Sequence, residues 1–127
     1  ERKDMEGSPE IKSRVRRIQM EMAKKRMLQD VAKANVVLVN PTHVAVALNY
    51  DPKTMDAPIM VAKGADLMAE KIREIARAYG VPIIRRPEIE RAIYYGVKKP
   101  GDTIPQKLYA AVAEVLALIY RLRRRGA

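Results

Sequence analysis

Two short apolar runs, separated by only three residues, constrain this chain more than any other feature of its sequence. The first, Asn35–Asn40, is rich in β-branched residues and apolar on both faces, and the second, Val44–Tyr50, alternates between its faces. A strand that is apolar on both faces needs cover on both sides of its sheet. We therefore expect a central strand that enters a tight turn at Asn40-Pro41-Thr42-His43 and continues directly into the next strand.

Helical periodicity and helix-start residues predict most of the remaining elements. Ser8-Pro9-Glu10 is typical of a helix N-terminus, and apolar residues at helical spacing follow it, so we expect a long one-sided helix. The further elements predicted are a strand over 59–62, a helix that ends at Gly80 and buries Met68, Ile72, Ile75 and Tyr79, a strand over 81–84, a helix over 87–96 and a helix from Pro105. This order predicts an α/β fold, a small mixed four-stranded sheet flanked by about four helices. The third and fourth strands should be parallel.

Composition excludes several functional classes. The chain has no Cys, so it has no disulfide framework. Its one His cannot form a zinc site alone. Its longest apolar run, Val115–Tyr120, is far shorter than the roughly 18 residues of a membrane span. The net charge of +10 suggests an anionic partner, either a nucleic acid or a membrane surface. Phe and Trp, which stack on bases, are absent, so the membrane surface is favoured.

The dipeptide Asn40-Pro41 permits a self-cleavage reaction. In the usual deamidation of Asn, the backbone nitrogen of the next residue attacks the Asn side chain. Pro41 has no N–H, so this reaction cannot occur at Asn40. The side-chain amide nitrogen of Asn40 can instead attack the Asn40 backbone carbonyl carbon and expel the Pro41 nitrogen. A turn that holds the two groups together favours such a reaction, and nearby backbone N–H groups could stabilise the oxyanion. His43 could supply the proton for the leaving nitrogen, with Thr42 as donor or relay. The alternatives are a purely structural turn and a turn-capping His43.

Four ordered blocks carry a family resemblance over nearly the whole chain: Glu21–Met27, Val36–Leu48 with its Asn-Pro-Thr-His motif, Ala62–Asp66, and Ile104–Ala117. In these blocks the chain resembles the cytoplasmic domains of the FlhB/YscU family of type III export switch proteins. The last block favours the flagellar branch of that family. Residues 88–91 are more acidic than the usual apolar form of this stretch in the family.

The resemblance implies both an architecture and a function. The full protein would lie in the bacterial inner membrane, with residues 1–30 as a basic linker helix and residues 31–127 as a cytoplasmic export-switch domain. Self-cleavage between Asn40 and Pro41 would permit a switch in export substrate class, and the two fragments would stay associated. The self-cleavage would be a single-turnover reaction and not the activity of an enzyme that turns over. The resemblance implies no metal, nucleotide or other cofactor.

The same resemblance suggests the partners of the domain. They are other export-gate components, a hook-length control protein and exported flagellar or secretion substrates. Substrates would dock in a shallow apolar pocket formed by Ala57, Pro58, Ala113 and Leu116, although plain helix packing is an alternative role for the last two. No nucleic acid is expected. A basic nucleic-acid-binding α/β domain and a plain structural module remain the alternatives to the export function.

Overall fold

A computed structural model describes residues 8–41 and 43–126, so the lead-in 1–7 and the predicted site residue Thr42 lie outside the described residues. The elements in chain order are α1 (Pro9–Val31), β1 (Val36–Asn40), β2 (Val44–Asn49), β3 (Ile59–Ala65), α2 (Leu67–Ala78), β4 (Ile83–Arg85), α3 (Pro87–Gly96), a single 3₁₀ turn (Gln106–Leu108) and α4 (Tyr109–Gly126). The predicted order of helices and strands and the α/β fold class are confirmed.

The sheet is four-stranded and mixed, in the order β3-β2-β1-β4, which makes β1 an internal strand as predicted. β1 pairs antiparallel with β2 from Val36↔Leu48 to Asn40↔Val44, and it pairs parallel with β4 on its other side. β2 pairs antiparallel with β3. The third and fourth strands therefore run in the same direction, as predicted, but they form the two opposite edges of the sheet.

The sheet lies between two layers of helices, because successive residues of a strand point to opposite faces. One apolar cluster joins even-numbered strand positions to α3 and α4: Val36, Leu38, Val46, Leu48, Met60, Ile93, Val97, Ile104, Val112, Val115 and Ile119. A second cluster, on the other face, includes the end of α1 and the inner side of α2: Val31, Val37, Ala45, Ala47, Ala62, Ala69, Ile72, Ala76 and Val81. This double cover explains why β1 is apolar on both faces.

Helix α1 begins where the sequence predicts, with Pro9 as its first residue and the Ser8 hydroxyl accepting a hydrogen bond from the Ile11 N–H at 3.5 Å. Most of its length is exposed, including the apolar side chains of Ile11 and Val15, and only Val31 is fully buried. None of the helices formed by residues 8–41 and 43–126 combines the length and the apolar character that crossing a bilayer requires.

Three local predictions were wrong. The strand predicted over 81–84 is formed by Ile83–Arg85. Tyr79 was expected to be buried, but its side chain is 67% exposed. It lies at the C-cap of α2, beyond the last helical turn, and the buried side of α2 is formed by Ala69, Ile72 and Ala76. The third strand was expected to end at residue 62, but β3 continues to Ala65 because its pairing with β2 extends to Val44.

Candidate functional site

Asn40, Pro41 and His43 of the predicted motif lie at the junction of β1 and β2, as predicted. Asn40 is the last residue of β1 and is 5% exposed, which makes it one of the few buried polar residues. By strand alternation its side chain shares the face of Val36 and Leu38, against α3. Pro41 and His43 are exposed, so the bond after Asn40 joins a buried side chain to a solvent-accessible turn.

Backbone hydrogen bonds hold the turn on both sides. The N–H of His43 donates to the Asn40 carbonyl oxygen at 3.3 Å, and the His43 carbonyl accepts from the Asp66 N–H at 2.8 Å. His43 has a φ of 106°, in the region that favours glycine. Non-glycine residues held there cost of the order of 1–3 kcal/mol, and such strain clusters at functional sites. The turn is thus strained and anchored to the residue that precedes α2.

These contacts bring together the components of an Asn cyclisation. In such a reaction the side chain of Asn40 would be the nucleophile, and the Asn40 carbonyl oxygen accepts a hydrogen bond from the His43 N–H. A backbone N–H at this oxygen can stabilise negative charge as it develops during attack. The leaving nitrogen would belong to Pro41, which is an exposed residue.

A further residue, Glu90, was not predicted as part of the site. Its side chain is fully buried within α3, near Asn40. Burial raises the pKa of the Glu90 carboxyl above its ordinary value, while the charge of Arg91 and the hydrogen-bonding side chain of Asn40 each lower that pKa in part. The contact with Asn40 is looser than a well-formed hydrogen bond, because neither carboxylate oxygen has a partner at full hydrogen-bonding geometry in the described part of the chain.

The sequence contained a signal for Glu90. It lies three residues before Ile93 and seven before Val97, at the helical spacing of the buried face of α3. A carboxylate on an apolar helix face requires an explanation, since ionisable groups are seldom fully buried without a partner. The acidic departure at residues 88–91 was visible in the sequence, but only the fold places it beside the motif.

The structure places two of the four predicted docking residues in one cleft. Ala113 and Leu116 lie on α4 and line a cavity of about 340 Å³ together with Tyr50, Pro52 and Tyr120. Ala57 and Pro58 are buried and do not line that cavity; the Pro58 carbonyl accepts a hydrogen bond from the Ile104 N–H at 3.0 Å. Docking by these residues stays a prediction.

We find no constellation that suggests a metal centre. Among residues 8–41 and 43–126, no group of three or more His, Asp or Glu side chains is arranged to hold a metal ion.

Comparison with known proteins gives a consistent result. The model of the FlhB HrpN YscU SpaS family matches residues 1–119. The flagellar biosynthetic protein FlhB of Aquifex aeolicus is 49% identical over 119 residues, covering 94% of this chain and 34% of that protein. FlhB of Salmonella typhimurium is 48% identical over 122 residues, covering 96% of this chain and 32% of that protein. This chain therefore spans about a third of the length of these relatives.

Solved structures agree in fold. The crystal structure of the cytoplasmic domain of FlhB from Shewanella putrefaciens is 45% identical, with a TM-score of 0.76 over 81% of this chain and 78% of that one. The C-terminal domain of PscU is 33% identical, with a TM-score of 0.58 over 62% of this chain and 99% of that one. A C-terminal domain of EscU carrying one substitution is 25% identical, with a TM-score of 0.67 over 72% and 97%.

Proposed function

The chain belongs to the FlhB HrpN YscU SpaS family of flagellar and type III export components, and from this we propose that it is a cytoplasmic domain that cuts itself between Asn40 and Pro41. The parent protein would lie in the bacterial inner membrane, with residues 1–30 as the linker from its membrane part. The cut would permit a switch in the class of exported substrate.

One observation supports the self-cleavage most directly. Asn40 is buried at the end of β1, and its carbonyl oxygen accepts a hydrogen bond from the N–H of His43 within a strained turn. The Asn40 side-chain nitrogen would attack the adjacent carbonyl carbon, close a succinimide ring and release the Pro41 nitrogen. Holding both groups in a packed strand end gives the attack a high effective molarity.

The environment of the leaving group also favours the reaction. Pro41 is exposed, so its nitrogen can take a proton from water or from the imidazole of His43 as the bond breaks. Breaking the chain at this point frees the turn from its positive φ at His43, so the product is less strained than the intact turn. Relief of strain and the entropy gained by the free ends both favour the cut state.

The cut would leave the domain assembled. β1 pairs with β2 on one side and with β4 on the other, and the apolar side chains of β1 are buried in both core clusters. A break in the turn removes none of this packing. We propose that cleavage lets the ends of β1 and β2 move independently, and that a hook-length control protein, other export-gate components and exported substrates recognise the resulting surface.

The direct test is denaturing electrophoresis and intact mass measurement of the purified chain. We expect two fragments, residues 1–40 and 41–127, the first of them one water lighter than its free acid while the succinimide survives. Asn40→Ala should stay whole at 14.4 kDa. The matched control Asn49→Ala removes the Asn at the end of β2 and should cut normally. An intact wild-type chain, or a cut in Asn40→Ala, would contradict the proposal.

Two further measurements separate this function from the alternatives. A nucleic-acid-binding domain would bind generic DNA or RNA tightly at low salt and lose that binding as salt rises; we expect no such binding. The switch function is tested by placing Asn40→Ala in a full-length flagellar export protein. Secretion of rod and hook proteins should continue and secretion of filament proteins should fail, whereas normal filament secretion would contradict the switch role.

A further inference from the structure

The carboxyl group of Glu90 is buried at a place where it has few hydrogen-bond partners. α3 packs against the sheet through one face, on which Glu90 lies beside Ile93, and the Glu90 side chain is completely inaccessible. Among the residues that the structure describes, neither of its oxygens has a hydrogen bond of full geometry. A buried carboxylate without such bonds costs stability, so its presence requires an explanation other than packing.

A polar side chain that acts on the Glu90 carboxyl is that of Asn40, the proposed nucleophile. Asn40 extends the row of Val36 and Leu38 on the face of β1 that is covered by α3, so the two polar groups meet inside an otherwise apolar layer. The Asn40 side chain is close enough to act on the Glu90 carboxyl as a hydrogen-bond partner.

The other charged groups around this layer are directed elsewhere or act on Glu90 through space. Arg91, the next residue of α3, is exposed and acts on Glu90 only through its field. On β3, the Lys63 ammonium donates to the carbonyl oxygens of Tyr94 and Val97, at 2.9 and 2.8 Å, at the C-terminal end of α3. His43 is exposed on the turn, and β4 contributes the exposed Arg85. Glu90 is thus the acid–base group that reaches Asn40 from the protein interior.

We propose that Glu90 is a catalytic residue of this chain, the general base for the cyclisation of Asn40; this rests on the proposed self-cleavage. The ionised carboxylate takes a proton from the Asn40 side-chain nitrogen as that nitrogen bonds to the Asn40 backbone carbonyl carbon. The adduct then collapses, the bond to the Pro41 nitrogen breaks, and its electron pair takes a proton from water. Glu90 afterwards returns its proton to water. One proton has moved from the side-chain nitrogen to Pro41, and no co-reactant is consumed.

The contribution of Glu90 adds to that of the turn and does not replace it. The strained conformation of His43 and the hydrogen bond from its N–H to the Asn40 carbonyl do not involve residue 90. General base catalysis typically contributes about 10²–10⁴-fold. Removing Glu90 should therefore slow the cut by at least about tenfold without abolishing it.

The test is the rate of cleavage of the 127-residue chain made by pulse-labelled cell-free translation and transferred to buffers from acid to alkaline pH. Glu90→Gln and Glu90→Ala should both cut at least about tenfold more slowly near neutral pH, and Glu90→Asp, which keeps a carboxylate, should be intermediate. The matched control Glu88→Gln changes an exposed carboxylate on the same helix and should cut at the wild-type rate.

The dependence of the cleavage rate on pH shows whether Glu90 acts as a base or only positions Asn40. The wild-type rate should rise as Glu90 ionises, above the pH at which an ordinary carboxyl titrates, and Glu90→Gln should lack that step. If Glu90→Gln is slow but keeps the wild-type profile, Glu90 only positions Asn40 and the base role is overturned. If wild type cuts and Glu90→Gln matches its rate and profile, the inference fails and self-cleavage stands. If wild type never cuts, both fall.

Discussion

The backbone N–H of His43 donates a hydrogen bond to the carbonyl oxygen of Asn40, at 3.3 Å, across the turn between β1 and β2. This oxygen belongs to the carbonyl that the Asn40 side chain would attack, and the donor residue has a φ of 106°. In the proposed reaction the same residue would polarise the carbonyl that is attacked and hold strain beside it. The sequence suggested a role for the His43 imidazole, and we propose one for the His43 backbone as well.

Substitutions at His43 should separate these contributions. His43→Ala and His43→Gly both remove the imidazole, but only glycine adopts a positive φ without strain. We expect both variants to cut more slowly than wild type. The cleavage rate of His43→Gly should be lower than that of His43→Ala, by up to about tenfold per 1.4 kcal/mol of strain relieved. The measurement is the time course of the intact chain on denaturing gels.

Each of these two His43 variants is a control for the other, because they differ by a single methyl group. Equal rates for His43→Ala and His43→Gly would show that strain in the turn contributes nothing to the reaction. A wild-type rate in both variants would leave His43 as a turn residue, with only its backbone N–H involved.

The fragments should stay together after the cut, because β1 is buried between β2 and β4. We expect residues 1–40 and 41–127 to co-elute in native size exclusion and to separate in urea, with a midpoint that depends on protein concentration. Leu38→Ala, at a fully buried position, should cost about 2–5 kcal/mol and lower that midpoint. Leu67→Ala, at a position 79% exposed, is the control and should not. Separation in native buffer would contradict the expectation.

Much of the fold could be predicted from local patterns. The apolar character of residues 35–40 on both faces required an internal strand, and the structure supplies a helical layer on each side of it. Strand order could not be predicted in the same way, because pairing partners are set by contacts distant in sequence. The parallel neighbour of β4 is β1, and no local pattern distinguishes that partner from β3.

The residues of the candidate site likewise differ in whether they could be predicted from local sequence. Asn40, Pro41 and His43 lie within four residues of one another, so the sequence alone suggested a self-cleavage chemistry beside a purely structural turn, and that chemistry stays a prediction. Glu90 is fifty residues from Asn40, and only the packing of α3 on β1 brings the two together. The strain at His43 was equally inaccessible, since a backbone dihedral depends on how the turn is anchored to Asp66.

Gly64 should tolerate no side chain, which explains a glycine near the end of β3. It pairs with Ala45 of β2, and a Cβ at this position would overlap the side chain of Met68 in α2. Gly64→Ala should therefore lower the free energy of unfolding by about 1–3 kcal/mol. Gly96→Ala is the control, because its nearest neighbour, a Pro105 side-chain carbon at 3.6 Å, is at ordinary contact distance. Equal urea midpoints for the two variants would contradict this account.

The burial of Glu90 should make stability depend on pH in a direction opposite to that of a paired carboxylate. Its pKa is raised in the folded chain, so between the unfolded and folded pKa values the folded state holds more protons and stability falls as pH rises. In an uncut Asn40→Ala background, which removes one influence that lowers this pKa, Glu90→Gln should gain stability relative to Glu90 from pH 4 to pH 8. Urea unfolding at both pH values measures the difference, and the paired design cancels the titration of every other carboxyl. A constant difference between the two chains would show that Glu90 ionises as easily in the folded state as in water.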